Sequence, residues 1–209
     1  MKDEKFVELI NNFYTYLIEN KQEYLRLFSK LQIQIEGWFR GELVNYFEHH
    51  NIEMSTENRE IRINEDSRRK VDLKIQIDNE FSWIELKHIL VGYQIEQPFN
   101  LDFYFKEGTY ISTDIEKLRS IEQPDKRQCG YSLVFISTNY TRKGLKKSTQ
   151  IEILTRDNLD EKVKESLEKH KDPKSEAFIK SSNHNDEFHF GYLLLGIMNN
   201  NPSPRALNF

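Results

Sequence analysis

The stretch KVDLKIQIDNEFSWIELKH, residues 70–88, decides how this chain is read. Val71, Leu73, Ile75 and Ile77 alternate with Asp72, Lys74, Gln76 and Asp78, and then Ile84 and Leu86 alternate with Trp83, Glu85 and Lys87. Alternation with a period of two is the mark of a half-buried strand. Two such strands joined by a tight turn predict a hairpin with its aliphatic residues on one face. The opposite face carries Asp72 from the first strand and Glu85 and Lys87 from the second.

Register decides whether those three residues meet. If Asp78-Asn79 is a two-residue turn, Ile77 pairs with Glu80 and Asp72 falls opposite Glu85; Asp and Asn tolerate the positive φ such a turn demands. A four-residue loop places Asp72 opposite Lys87, still on the same face. A three-residue loop sets Asp72 against Leu86 and needs a bulge to restore the facing. Two of the three closures therefore gather two carboxylates and an ammonium on one rigid surface.

That grouping suits metal-assisted hydrolysis of a phosphodiester. A hard cation such as Mg²⁺ takes one or two protein carboxylates and keeps several waters. It lowers the pKa of a bound water and offsets charge growing on the phosphorus oxygens. A neighbouring Lys can orient that water or stabilise the developing anion. Acid-x-Lys by itself is a weak pattern, since Asp3-Glu4-Lys5, Asp72-Leu73-Lys74, Asp160-Glu161-Lys162 and Asp172-Pro173-Lys174 also match it. Only Glu85-Leu86-Lys87 is embedded in an apolar strand and preceded by a partner strand bearing an acid. The bland alternative is a solvated hairpin face with a cross-strand ion pair, worth ~0.2–1 kcal/mol.

The arrangement resembles the PD-(D/E)XK nuclease superfamily, the restriction-endonuclease-like fold. The resemblance rests on Asp72 followed by Glu85-Leu86-Lys87, with Val71 where the superfamily pattern has Pro. It implies a preceding helix carrying a further acid and an αβ unit after the hairpin. It also implies Mg²⁺, or Mn²⁺ in its place, held by Asp72, Glu85 and the Leu86 backbone carbonyl, with Lys87 positioning the attacking water.

Residues 31–50 form the helix that would supply the further acid, ending at Asn51, a residue that tolerates the left-handed position after a helix. At 100° per residue its apolar face holds Leu31, Ile35, Trp38, Phe39, Leu43, Tyr46 and Phe47. Glu42 falls near the middle of that face and Glu36 towards one edge. A buried carboxylate is costly unless paired or coordinated, so Glu42 is taken as the helix acid and metal ligand, with Glu36 as the alternative. Gly37 and Gly41, one turn apart on the opposite face, suggest close packing there, by the N-terminal helix or by a second subunit in a homodimer.

Around this core, residues 3–29 read as a helical pair broken near Asn20-Lys21, with Phe6, Ile10, Phe13 and Leu17 at helical spacing. Arg59 to Asn64 is a candidate first strand. The aromatic run 92–109 has no clean period. Thr113 to Leu118 reads as an N-cap and first helical turn, Tyr131 to Ile136 as a buried strand, Asp160 to Lys171 as a short polar helix, and Phe188 to Met198 as a last apolar strand. The tail 199–209 is expected to be weakly ordered. The whole is expected to be one α/β domain over 1–209, with a central mixed sheet flanked by helices: an N-terminal helical appendage over 1–30 and a core over 31–198.

Composition narrows the field. The net charge of −4 argues against an indiscriminate polyanion coat, though not against a focused groove. A single cysteine, Cys129, excludes an intramolecular disulfide framework and a cysteine zinc cluster. No apolar run follows the first residues and none approaches the ~20 residues of a membrane span, so a cytoplasmic location is expected. His49-His50 are adjacent and do not share a helix face, while His184 and His189 lack ligand spacing. His88 should point away from Lys87. Arg68, Arg69 and Lys70 before the hairpin, and Arg142, Lys143, Lys146 and Lys147 after the later strand, are candidate phosphate contacts. The expected function is metal-dependent cleavage of nucleic acid, DNA in the first instance, in restriction, anti-phage defence or repair. The alternatives are a nuclease-like fold that only binds nucleic acid or protein, and an unrelated α/β interaction protein.

Overall fold

A computed structural model describes residues 2–31, 33–58, 71–77, 80–91, 102–120, 128–139, 161, 164–166, 168–170, 176–183 and 188–198. Helices α1 (Lys2–Asn20) and α2 (Gln22–Leu31) are separated at Lys21, where the sequence pattern breaks. Helix α3 (Glu36–His49) ends before Asn51, which takes the left-handed φ of 54°. Strands β1 (Glu53–Asn58), β2 (Val71–Ile77) and β3 (Glu80–Val91) follow, then α4 (Asp102–Phe105), α5 (Tyr110–Arg119), β4 (Gln128–Asn139), β5 (Glu176–Asn183) and β6 (Phe188–Met198).

The strands form one six-stranded mixed sheet in the order β1-β2-β3-β4-β6-β5. Neighbours are antiparallel except β3 and β4, which run parallel. A parallel pair cannot be closed by a hairpin and needs a crossover; α4 and α5 lie in that connection. The molecule is therefore α/β with a mixed sheet and flanking helices.

Alternation along the strands sorts side chains between two helical layers. Leu73, Ile75, Ile84, Leu86, Tyr131, Leu133, Phe135, Phe190, Tyr192 and Leu194 pack beneath α1, α2 and α3 in one buried cluster with Phe6, Phe13, Phe39 and Phe47. Aromatic rings dominate this layer: Phe6 stacks on Tyr131 at 3.8 Å and Phe39 on Phe135 at 4.0 Å. The buried Tyr14 hydroxyl donates to the Phe190 carbonyl at 2.8 Å, so burial leaves it satisfied. The other face lies under α5. Gly130 of β4 allows that close approach, since a Cβ there would meet the Trp83 carbonyl at 2.6 Å and the Leu118 side chain at 2.9 Å.

Several expectations shift. The first strand is β1 at Glu53–Asn58, earlier than expected, and residues 59–64 lie outside the described residues. Helix α5 begins a turn before Thr113, whose N–H donates to the carbonyl of the actual N-cap, Thr109. Within the aromatic run, residues 102–105 form a short helix. Gly37 and Gly41 are exposed, and an added Cβ at either meets nothing within 4 Å, so the N-terminal helix does not pack there. The tail 199–209 lies outside the described residues.

Candidate active site on the β2–β3 hairpin

The hairpin closes in the first of the registers considered. Ile77 pairs with Glu80, and the ladder runs back to Leu73 opposite Ile84. One step further along this register brings Asp72 to the level of Glu85. There the side chain replaces the backbone: Asp72 Oδ2 accepts the Leu86 N–H at 2.9 Å. This bond ties the acid of β2 to the residue between Glu85 and Lys87. The carbonyl of a strand residue leaves on the same edge as its N–H, so the Leu86 carbonyl is directed to the Asp72 side.

On β3, Ile84, Leu86 and His88 turn towards α3, whereas Glu85 and Lys87 turn towards α5. Glu85 is 2% exposed and is held at about 8, by burial first and by the charge of Asp72 second, with Lys117 pulling the other way. The Lys117 ammonium lies 2.5 Å from Glu85 Oε1. Lys87 lies 3.6 Å from Asp114 Oδ1. Burial alone would lower the Lys87 pKa, but Asp114, Glu36, Asp72 and Glu85 together raise it, so Lys87 stays cationic. Asp114 is buried and pushed up to about 7, mainly by that burial, and its Oδ2 has no hydrogen-bond partner among the described residues.

Helix α3 contributes from the other side. Arg40 Nη1 lies 3.6 Å from Asp72 Oδ1. Glu36, in the first turn, is half-buried near the hairpin: burial pushes its carboxyl up, Lys87 opposes this and Asp72 adds to it. Beyond the end of the β2 ladder, Asp72 thus takes an N–H from the open edge of β3, and Glu36 lies close enough for Asp72 and Lys87 to act on its charge.

Glu42 does not join this group. It pairs with Lys21 at 3.1 Å and accepts from the Tyr16 hydroxyl at 3.4 Å, both on the N-terminal side of the helical layer. The expectation of an inward-pointing Glu42 is corrected by the two surfaces that bury α3. Ile35, Phe39, Leu43 and Phe47 face the sheet, but Trp38 packs on Phe28 of α2 at 5.2 Å. Leu31 belongs to α2 and is 56% exposed. Without Leu31 and Trp38 the sheet-facing stripe centres near Phe39, leaving Glu36 and Glu42 about 60° to either side at 3.6 residues per turn. Glu42 lies on the Trp38 side, Glu36 on the side of the hairpin.

His88 is structural, as its direction predicts. It accepts the Ile35 N–H at Nδ1 (3.3 Å), so Nε2 carries the proton and donates to Ser137 Oγ at 2.8 Å. Burial holds its pKa at about 4. His49 and His50 each bond a carbonyl one turn back, Asn45 and Tyr46, both at 2.7 Å. Arg68, Arg69, Lys70, Arg142, Lys143, Lys146 and Lys147 lie outside the described residues.

Sequence reasoning missed Asp114 and Lys117. Its available signal was Asp114 flanking Ile111, Ile115 and Leu118 on the wheel of α5, with Lys117 one turn on. Among the described residues no three His, Cys, Asp or Glu side chains form a group able to hold a metal ion. The donors therefore do not make an all-protein cage. They do fit a hydrated hard cation, which takes carboxylate oxygen from one or two residues: Asp72 and Glu85 supply it, and Lys117 already sits on Glu85 as a positive charge.

No protein-family model matches this chain, and no curated protein or solved structure shows significant similarity to it.

Proposed function

We propose that the hairpin is the active site of a metal-dependent phosphodiesterase acting on nucleic acid, DNA in the first instance, on a restriction-endonuclease-like fold of the PD-(D/E)XK kind. The single observation that carries this reading is the Asp72–Leu86 bond, which assembles Asp72, Glu85 and Lys87 at the end of the β2 ladder. The order α3, β1, β2, β3, α4, α5, β4 supplies the preceding helix and the following αβ unit that the resemblance implies.

In this reading Asp72, Glu85 and the Leu86 carbonyl hold Mg²⁺ or Mn²⁺. The ion, when bound, supplies an acidified water and a counter-charge to the phosphate. Glu36 replaces Glu42 as the helix acid, placed to accept from metal-bound water. Lys87, kept cationic by the surrounding carboxylates, orients the attacking water and stabilises the developing oxyanion; it is not a general base. Arg40 holds Asp72 in orientation. Restriction, anti-phage defence and repair are the cellular roles that fit.

A second reading, a nuclease-like fold that only binds, draws on Lys117, whose contact with Glu85 neutralises a would-be ligand. The test is cleavage of supercoiled plasmid, linear duplex, single-stranded DNA and RNA, each with Mg²⁺, Mn²⁺ or EDTA. Metal-dependent cleavage lost in Lys87→Ala supports catalysis. Binding without cleavage under every condition supports the second reading.

A further inference from the structure

Helix α5 and strand β3 face each other with four charges in alternation. Glu85 and Lys87 stand on the strand, Lys117 and Asp114 on the helix, and the ion pairs are Glu85–Lys117 at 2.5 Å and Lys87–Asp114 at 3.6 Å. Each pair leaves a buried carboxylate oxygen without a hydrogen bond of ordinary geometry among the described residues, Glu85 Oε1 and Asp114 Oδ2. Lys117 lies against Glu85, one of the two carboxylates assigned above to the metal, in a close ion pair rather than a well-aligned bond. Asp114 uses Oδ1 towards Lys87, while its Oδ2 is buried without a hydrogen-bond partner among the described residues. A buried carboxylate oxygen left unpaired is costly, so this orphan calls for a partner in some state of the protein.

We propose that Lys117 is a resident cation that holds the metal's place on Glu85 and transfers to the vacant oxygen of Asp114 when a divalent ion binds. This deepens the metal-dependent reading and rests on it. Lys117 and Asp114 are three residues apart on α5, and such positions are neighbours on a helix surface with Cβ atoms about 5–6 Å apart. A Lys side chain is a compact charge on a flexible four-carbon stem, so it reaches either carboxylate by rotating side-chain bonds, without moving the helix. Without metal, Lys117 lessens the repulsion among the buried acids. With metal, the same ammonium supplies the partner that Asp114 lacks. Gly130 keeps α5 close enough to the sheet for both positions to be within reach. Lys117 is thus a positioning residue that sets how readily the site loads.

The test is calorimetric titration with Mn²⁺ alone. When Lys117 covers Glu85 in nine molecules of ten, apparent affinity falls about tenfold. Lys117→Gln and Lys117→Met are accordingly expected to bind Mn²⁺ about tenfold more tightly than wild type, and Lys117→Arg to resemble wild type. Asp114→Asn, which removes the landing place, should weaken binding in the wild-type background and change nothing in the Lys117→Gln background. An effect of Asp114→Asn that persists in Lys117→Gln would be general charge attraction and would overturn the transfer. Wild-type binding with equal or weaker binding in Lys117→Gln overturns the inference while leaving the metal site intact. No Mn²⁺ binding by any of these proteins overturns the metal reading itself. Should Lys117→Gln and Lys117→Met fail to fold, the wild type still decides: the Lys117 side-chain carbon resonance, assigned by its loss in the charge-conserving Lys117→Arg, must shift on saturation with Mg²⁺. No shift at saturation overturns the transfer.

Discussion

The two faces of the central sheet are built from the same strands and differ most along β3. Under α1–α3 the sheet presents Phe135, Phe190, Tyr131 and aliphatic neighbours, stacked against Phe6 and Phe39. Under α5 it presents a smaller aliphatic layer of Val134, Ile136, Leu193 and Leu195 and, on β3, Glu85 and Lys87, matched by Lys117 and Asp114. On β3 period-two alternation allows this division: Leu86 builds the core, and Glu85 and Lys87 beside it carry charge. The aromatic face holds the molecule together through apolar burial. The cluster on the α5 face gathers two acids and two lysines in a largely buried space, where desolvation offsets much of what the ion pairs contribute.

The comparison breaks first on stability. Phe39→Ala removes a ring stacked on Phe135 and Phe190 and is expected to lower unfolding free energy by about 3–5 kcal/mol, as for large-to-small core changes. Lys87→Ala, which takes the partner from the buried Asp114, should cost less stability than Phe39→Ala, yet lower the cleavage rate by about a hundred- to a thousandfold, the scale for removing one group that stabilises an oxyanion. Lys74→Ala, whose ammonium lies over the Phe81 ring at 4.0 Å, should cost far less activity. Urea denaturation and single-turnover cleavage on the three variants measure both effects. Equal loss of activity in Lys74→Ala and Lys87→Ala would mean general phosphate attraction only.

A finer contrast separates the two glutamates of α3. Glu36→Gln is expected to reduce metal-dependent cleavage at least tenfold, about 1.4 kcal/mol in activation free energy. Glu42→Gln should leave cleavage unchanged and shift stability by at most about 1 kcal/mol, because its partner Lys21 is partly solvent-exposed. Retained activity in Glu36→Gln with loss in Glu42→Gln would return the helix acid to Glu42.

The smallest effect is a slope. Glu85 at about 8 and Asp114 at about 7 are both raised in the folded protein, so between ordinary carboxylate pKa values and these the folded state binds more protons than the unfolded chain. Stability then falls as pH rises through that window and levels off above about pH 8. His88, lowered from 6.5 to about 4, acts in the opposite direction and adds stability as pH rises between those values. The acid signature is therefore cleanest above about pH 7, where His88 is mostly neutral in both states. Thermal unfolding of the metal-free protein should show a falling Tm from about pH 7 to 8.5, with a flatter slope in Glu85→Gln. A rising Tm in wild type, or an unchanged slope in the variant, contradicts the burial assigned to Glu85.

The hairpin was legible because its signals agree. Alternation fixed the faces, and Asp78-Asn79 allowed the short closure that the ladder adopts at Ile77 and Glu80. Helix α3 was legible as a helix but not in its phase. A hydrophobic pattern counts buried positions without saying which neighbour buries them, and here Trp38 is covered by α2 whereas Phe39 is covered by the sheet. Strand β5, Glu176–Asn183, escaped because its sequence EAFIKSSN is short of apolar residues and, among the described residues, it pairs at the sheet edge with β6 alone. Asp114 and Lys117 were hidden for a third reason. Their roles depend on the crossover laying α5 across β3, a long-range placement that no local pattern contains.

Divalent-ion binding to the hairpin acids tests the central claim most directly. Calorimetric titration of Mn²⁺ into wild type, Asp72→Ala and Glu85→Ala should show binding in wild type and its loss in both variants. Equal binding in all three proteins would contradict the assignment of Asp72 and Glu85 as the metal ligands.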